Sequence, residues 1–350
     1  MCAALVVIGI RGRTLRIAPK IDYIGAILLA IASSSMILGF SFADKNPRAS
    51  FRVSGLLLIS LVCWVLFVLL ERRVEEPILD PQTFTNRTFI TAAAAALLSF
   101  FGFVGIMNCY PLFLQGVQGT SATASGYRLT PFNVMMVLMG VLAGFLLAKT
   151  KRYKWMLVTS YAVLTIAMFC MVFFTQATPL WLGVLVMIPG GFGAGSIPTI
   201  NILVVQFALP KRLLGIAVAA IFFIVALGNA VAPAILGTAM NATYEKKLGE
   251  SLPPNLESHI DAAILESFAD PRVLMSQDAM TELRDTFNKI EGQGGVLFDQ
   301  TIQAIRNALQ AGLRILFLVG SIALLLAFLL ILTIPEVSMD VEVQDKNTSS

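Results

Sequence analysis

Eight apolar stretches, each long enough to cross a lipid bilayer, dominate this chain and limit what it can fold into. They run at Ile21–Phe42, Val53–Leu70, Phe89–Leu114, Gly126–Ala148, Trp155–Phe174, Leu180–Ala208, Gly215–Asn241 and Leu313–Ile334. About 20 apolar residues carry a helix across the hydrocarbon core. Only helices and closed barrels satisfy their backbone groups there, and alternating ten-residue strands are absent, so the stretches read as helices. With 13% charged residues and a mean hydropathy of +0.81, the chain is far more apolar than soluble domains, which carry about 25% charge. A shorter apolar run, Met1–Ile10, lacks a basic leader region and a small-residue cleavage site, and Arg11 and Arg13 follow it. It reads as the end of a truncated helix.

Charge sets the expected orientation. One set of short loops holds Arg11, Arg13, Arg16 and Lys20, then Arg72, Arg73 and Arg87, then Lys149, Lys151, Arg152 and Lys154, then Lys211 and Arg212. The alternate loops hold only Lys45, Arg48, Arg52 and Arg128. The positive-inside rule puts the first set, and with it the C-terminal tail 335–350, in the cytoplasm of a multi-pass plasma-membrane protein. Lys149, Lys151, Arg152 and Lys154 are then a positive anchor at the inner surface. The long acidic segment 242–310 falls outside. Asp270-Pro271 is a helix-start signal there. Met280, Leu283, Phe287 and Ile290 have helical spacing, as do Leu297, Ile302, Ile305, Leu309 and Leu313, which run on into the last span. A small helical cap is expected.

Enzyme chemistry finds little to stand on. Cys2, Cys63, Cys109 and Cys170 are scattered without metal or redox spacing. His259 is the lone histidine, so neither a zinc site nor a histidine-based triad can be assembled. The carboxylates Glu71, Glu75, Glu76 and Asp80 lie among arginines with no partner motif. No metal, catalytic group or nucleic-acid partner is expected.

No Asp or Glu lies deep in a span, but amides do: Asn108, Gln115, Asn133, Asn201, Gln206 and Asn229. They are candidates for a substrate cavity, with interhelical hydrogen bonds as the alternative. Asn108 and Gln115, seven residues apart, fall near one helical face. Gly140, Gly144, Gly191 and Gly195 have spacings that let helices approach closely. Pro111, Pro131, Pro189, Pro198 and Pro233 each remove a helix donor and invite a kink. The aromatic run Phe100, Phe101 and Phe103 suits either lipid-facing packing or stacking on a greasy or cationic ligand.

Tyr110-Pro-Leu-Phe-Leu-Gln115-Gly-Val-Gln-Gly119, followed by Ser125-Gly126-Tyr-Arg-Leu-Thr-Pro131, resembles a helix-loop-helix of the major facilitator superfamily. The nearest likeness is to its fourteen-helix drug:proton antiporter branch, of EmrB/QacA type. Ile21-Asp22-Tyr-Ile-Gly25-Ala26 resembles the start of that branch's seventh helix. Glu71-Arg72-Arg73, Glu76-Pro77, Phe84 and Asn86-Arg87-Thr88-Phe89 resemble the linker after the eighth. Pro189 to Gly195, Gln206, Leu209-Pro210-Lys-Arg212, Gly215 and Gly228 resemble the twelfth and thirteenth. The loop 149–154 stands where the branch has a glycine-flanked acidic-basic gating motif; it keeps Gly140, Gly144 and the positive charge but has no aspartate. Asn229-Ala-Val-Ala-Pro233-Ala-Ile-Leu-Gly237 resembles the antiporter motif only loosely.

The resemblance implies an all-α polytopic membrane protein made of the C-terminal six-helix bundle of a major facilitator fold and two inserted helices. Its expected parts are 1–20, a helix end and basic loop; 21–87, the inserted pair and linker; and 88–334, the six-helix bundle, with 242–310 as an outer helical loop. It implies proton-coupled efflux of amphipathic or lipophilic small molecules, with no cofactor beyond the proton gradient. It requires an N-terminal six-helix bundle as partner, besides the bilayer and a small-molecule substrate. A non-transporting scaffold or receptor that uses 242–310 is the alternative.

Overall fold

The computed structural model describes residues 22–45, 50–74, 81–150, 152–210, 213–253, 256, 268, 270–288 and 294–335. The run Met1–Ile10, the loop 11–20, Lys151, His259, Ile290 and most of the tail lie outside the described residues. Within them, eight helices are long and apolar enough to cross a membrane. The first two, α1 (Tyr23–Lys45) and α2 (Ser50–Glu71), pack on each other as a hairpin. The Ser60 hydroxyl donates to the Ala32 carbonyl across it at 2.8 Å. A short helix α3 (Pro81–Thr85) leads to the main bundle.

Six long helices make the bundle. The first, α4 (Arg87–Val104), continues through a π-helical turn (Gly105–Cys109), one α turn (Tyr110–Leu112) and a second π turn (Phe113–Val117). After it come α5 (Ala122–Thr150), α6 (Lys154–Met171), α7 (Leu180–Ala208) and α8 (Leu214–Ser251). A short amphipathic helix α9 (Gln277–Asn288) precedes the last, α10 (Gly294–Leu332). Helices α4, α8 and α10 pack on one another, α7 lies against α4, α5 and α6, and α6 closes against α10. The hairpin leans on α8 through α1 and through Trp64 of α2, whose ring sits 5.7 Å from Phe223.

Between lipid-embedded helices there is no hydrophobic driving force, so close packing and hydrogen bonds hold the bundle. At the α5–α7 crossing a Cβ on Gly191 or Gly195 would strike the backbone of Phe132 or Met136. Thr199 donates to the Gly140 carbonyl at 3.2 Å beside it. Asn86 begins α4 by accepting from the Phe89 amide at 3.1 Å. Its side-chain nitrogen donates to the Ala208 carbonyl at 2.9 Å, tying that start to the end of α7. At the same end the Tyr153 hydroxyl donates to the Pro335 carbonyl at 2.6 Å.

The opposite end carries a cap. Its proline does not begin an α-helix: Pro271–Met275 forms a single 3-10 turn, and the helix starts at Gln277. Leu283 and Phe287 are buried, and Phe287 meets Phe298 of α10 edge-on at 5.6 Å. The Tyr244 hydroxyl donates to the Phe268 carbonyl at 2.6 Å. Both flanking spans run further than their apolar cores: α8 continues to Ser251 and α10 begins at Gly294, so much of 242–310 is helix continuous with the bundle.

Candidate functional site: an open face and a cleft

Pro111 lies between the two π turns of α4. Proline cannot donate to the preceding turn, and π turns often sit where a helix is re-registered at a functional position. A seven-residue spacing computed for a regular helix therefore does not carry over here. Asn108 is exposed, whereas Gln115 is half-buried and donates from Nε2 to the Ser125 hydroxyl of α5 at 3.2 Å. Two residues beyond the last turn of α4, Gly119 has a φ of 67°, in the left-handed region that favours glycine. Gln118 donates to the Thr178 carbonyl at 2.9 Å beside it.

The other amides divide by exposure. Asn229 of α8 and Gln206 of α7 are exposed, and Asn133 of α5 is half-buried. Asn201 is only 2% exposed. Its Nδ2 donates to the Tyr161 hydroxyl at 3.1 Å, while its Oδ1 is buried with no partner. Ser99 of α4 lies beside the same tyrosine hydroxyl and donates to the Ala96 carbonyl at 2.7 Å. Nearby, Ser196 donates to Ser160 at 2.6 Å.

Ser99 also lines a cleft of about 310 Å³, with Phe100 and Phe103 of α4, Met136 of α5, Leu164 of α6 and Pro198 of α7 among its walls. That volume is at the small end for ligand pockets, which run about 300–1,000 Å³. The aromatic run divides here. Phe101 is in the core, while Phe100 and Phe103 are half-buried, meet at 5.9 Å and present their rings to the cleft. The cleft is apolar with one hydroxyl, a lining that accepts greasy ligands and orients them at a single point.

The remaining predicted positions fall as follows. Pro131, Pro189, Pro198 and Pro233 all lie inside helices, and Pro198 lines the cleft. Gly144 faces Thr199, whose Cγ2 is 3.7 Å from where a Cβ would stand. Lys149 and Arg152 are exposed at the end of the bundle opposite the cap, and Lys154 is half-buried there. Cys63, Cys109 and Cys170 are not in disulfides. Among the described residues no group of three His, Cys, Asp or Glu side chains could hold a metal ion.

Sequence reasoning passed over Ser99 and Tyr161, and met Tyr110 only as part of a family-like motif. The available signal was weak: a tyrosine or serine in an apolar helix is common. Nothing in the order of residues shows that Ser99, Tyr161 and Asn201, on three helices, share one buried spot.

This arrangement defines a multi-pass helical membrane protein with an apolar cleft inside a six-helix bundle. Residues 11–233 match the Major Facilitator Superfamily, and the chain belongs to that family of transporters. It is 29% identical to an uncharacterised MFS-type transporter of Mycobacterium tuberculosis over 67% of this chain and 34% of that protein. It is 26% identical to multidrug resistance protein 3 of Bacillus subtilis over 89% of this chain and 58% of that one. It is 27% identical to the tetracycline resistance determinant of Streptomyces rimosus over 88% and 90%. The chain thus spans from about a third to under three-fifths of the first two relatives. Among solved structures, an inward-facing bacterial homologue of the human lysosomal transporter Spinster aligns at a TM-score of 0.49. The identity is 17%, covering 88% of this chain and 65% of that one.

Proposed function

We propose that this chain supplies the C-terminal portion of a secondary active transporter, of the fourteen-helix drug:proton antiporter type. It exports amphipathic or lipophilic, drug-like small molecules by alternating access. The observation that carries this is the exposure of Asn229. It lies 15 residues into α8, about 22 Å along a span crossing a hydrocarbon core of about 30 Å. An amide facing lipid at that depth is unfavourable by about 1–3 kcal/mol or more, so this face belongs against a cavity or another bundle. Asn108 is likewise exposed on α4, the neighbour of α8. Exposed apolar residues of α5, among them Val137, Val141 and Phe145, add a surface suited to rocking contact with a second bundle.

Names among the relatives such as "multidrug resistance protein" and "tetracycline resistance determinant" support the reading. The basic-loop end faces the cytoplasm of the plasma membrane, with the cap outside. No cofactor is needed beyond the proton gradient. The described spans carry no deep carboxylate, so the proton-binding acid is supplied by the N-terminal bundle. The test is export of a fluorescent lipophilic dye by cells making the complete protein. Export should stop when an uncoupler collapses the gradient, and Asn108→Leu should change the range of exported dyes more than the amount of protein. Gradient-independent export refutes the coupling; no export above vector control refutes transport.

A further inference from the structure

A half-buried guanidinium sits at the cap end of this bundle, on a helix whose neighbours in sequence carry no acid. No Asp or Glu occurs between Pro81 and Tyr244, so α4 to α7 and most of α8 hold no counterion for it. Arg128 occupies the second turn of α5, at the cap end. It is turned inward, since Phe132 one turn further on is fully buried. Its Nη1 is buried and meets no hydrogen-bond acceptor. Tyr110, on the α turn between the two π turns of α4, brings its hydroxyl within electrostatic reach of that guanidinium. The hydroxyl is aimed at Gly183 in the first turn of α7, where any Cβ would collide with it. Three helices therefore converge on two donors.

A desolvated cationic N–H calls for an acceptor, and the strongest is an anionic oxygen. The planar fork of arginine matches the paired oxygens of a carboxylate or phosphate. A tyrosine O–H within electrostatic reach adds a third donor. Glycine at 183 leaves room for the tyrosine to hold that position.

The geometry points to an anion subsite at the cap end of the bundle, built by Arg128 and Tyr110, that takes a carboxylate- or phosphate-type head group. Where that head belongs to cargo, the exported molecule is an amphipathic organic anion rather than a lipophilic cation; this assignment rests on the function proposed above. The same chemistry is offered by the phosphate of an anionic lipid, and the experiment separates the two sources.

The purified chain in phosphatidylcholine nanodiscs is titrated with radiolabelled 4-phenylbutyrate and, in parallel, with 4-phenylbutanol, which has the same body and no anionic head. Saturable binding of the acid is expected, weaker by about tenfold or more for the alcohol. Arg128→Gln should weaken acid binding by a similar factor, Arg128→Lys by less, and Tyr110→Phe by about threefold. A second arm uses discs containing phosphatidylglycerol. If that lipid abolishes acid binding and raises the unfolding temperature of the wild type but not of Arg128→Gln, the site stands and its occupant is a lipid phosphate. Equal binding of acid and alcohol, with no lipid effect on the wild type, overturns the subsite; this comparison needs no variant and holds even where Arg128→Gln fails to fold. Acid binding without export by the complete protein would remove the transport reading and leave the site. Export without anion discrimination would do the reverse.

Discussion

At Gly195 of α7 an alanine methyl would have to occupy space already filled by the backbone of α5. Its Cβ would stand 2.7 Å from the carbonyl carbon of Met136 and 2.8 Å from its Cα. Carbon atoms in contact settle at about 3.5–4.0 Å, so the two helices must part by roughly 1 Å at the crossing. The obstructing atoms are main chain and cannot swing aside. Overpacking of this kind costs about 1–3 kcal/mol, while alanine in place of glycine returns up to about 1 kcal/mol of helix propensity. The expected net loss is about 1–2 kcal/mol. Gly140 provides the internal comparison. A Cβ there would meet nothing nearer than the Gly195 carbonyl oxygen at 3.6 Å, an ordinary contact. Gly140→Ala should be neutral or stabilising by up to about 1 kcal/mol. Reversible unfolding of the purified chain in mixed micelles, followed by circular dichroism across an SDS titration, measures both. If the two alanines have equal effects, or if Gly195→Ala is the more stable protein, the close backbone approach does not exist in solution.

Two further outcomes follow from the hydrogen bonds. Asn86→Ala removes both the α4 cap and the tie to Ala208, an expected loss of about 1–3 kcal/mol in the same unfolding assay. Asn86→Asp keeps the cap acceptor and should lose clearly less; equal losses would mean the cap contributes nothing. Tyr161→Phe strands the buried Asn201 amide and should cost about 1–3 kcal/mol. Asn201→Leu removes the amide together with its unmet oxygen and should cost less than Tyr161→Phe; the opposite order would show that Asn201 is satisfied some other way.

The helical class and the approximate spans were legible in the order of residues, because a bilayer imposes a length and an apolar composition that no tertiary contact is needed to read. Val53–Leu70 was expected and α2 occupies Ser50–Glu71; Leu180–Ala208 was expected and α7 has those bounds. The end of a helix in water is less legible. Outside hydrocarbon a helix carries polar residues freely, which is why α8 runs on to Ser251 and α10 starts at Gly294.

What each polar residue does was decided by the packing. Asn108, Asn201 and Asn229 look alike in sequence, each a lone amide in an apolar stretch. Asn201 is sealed against Tyr161 because α6 and α7 close over it, and Asn229 is exposed because no described helix covers that face of α8. The π turns around Pro111 altered the register on which the Asn108–Gln115 spacing relied, and they form only through the contacts of a particular bundle. Arg128 was legible as a charge near a helix start. That its guanidinium is turned inward, within electrostatic reach of Tyr110, is a consequence of helices meeting. Composition and periodicity report what a bilayer demands of one helix at a time; which side chains share a site depends on how helices far apart in sequence pack, and only the tertiary structure contains that.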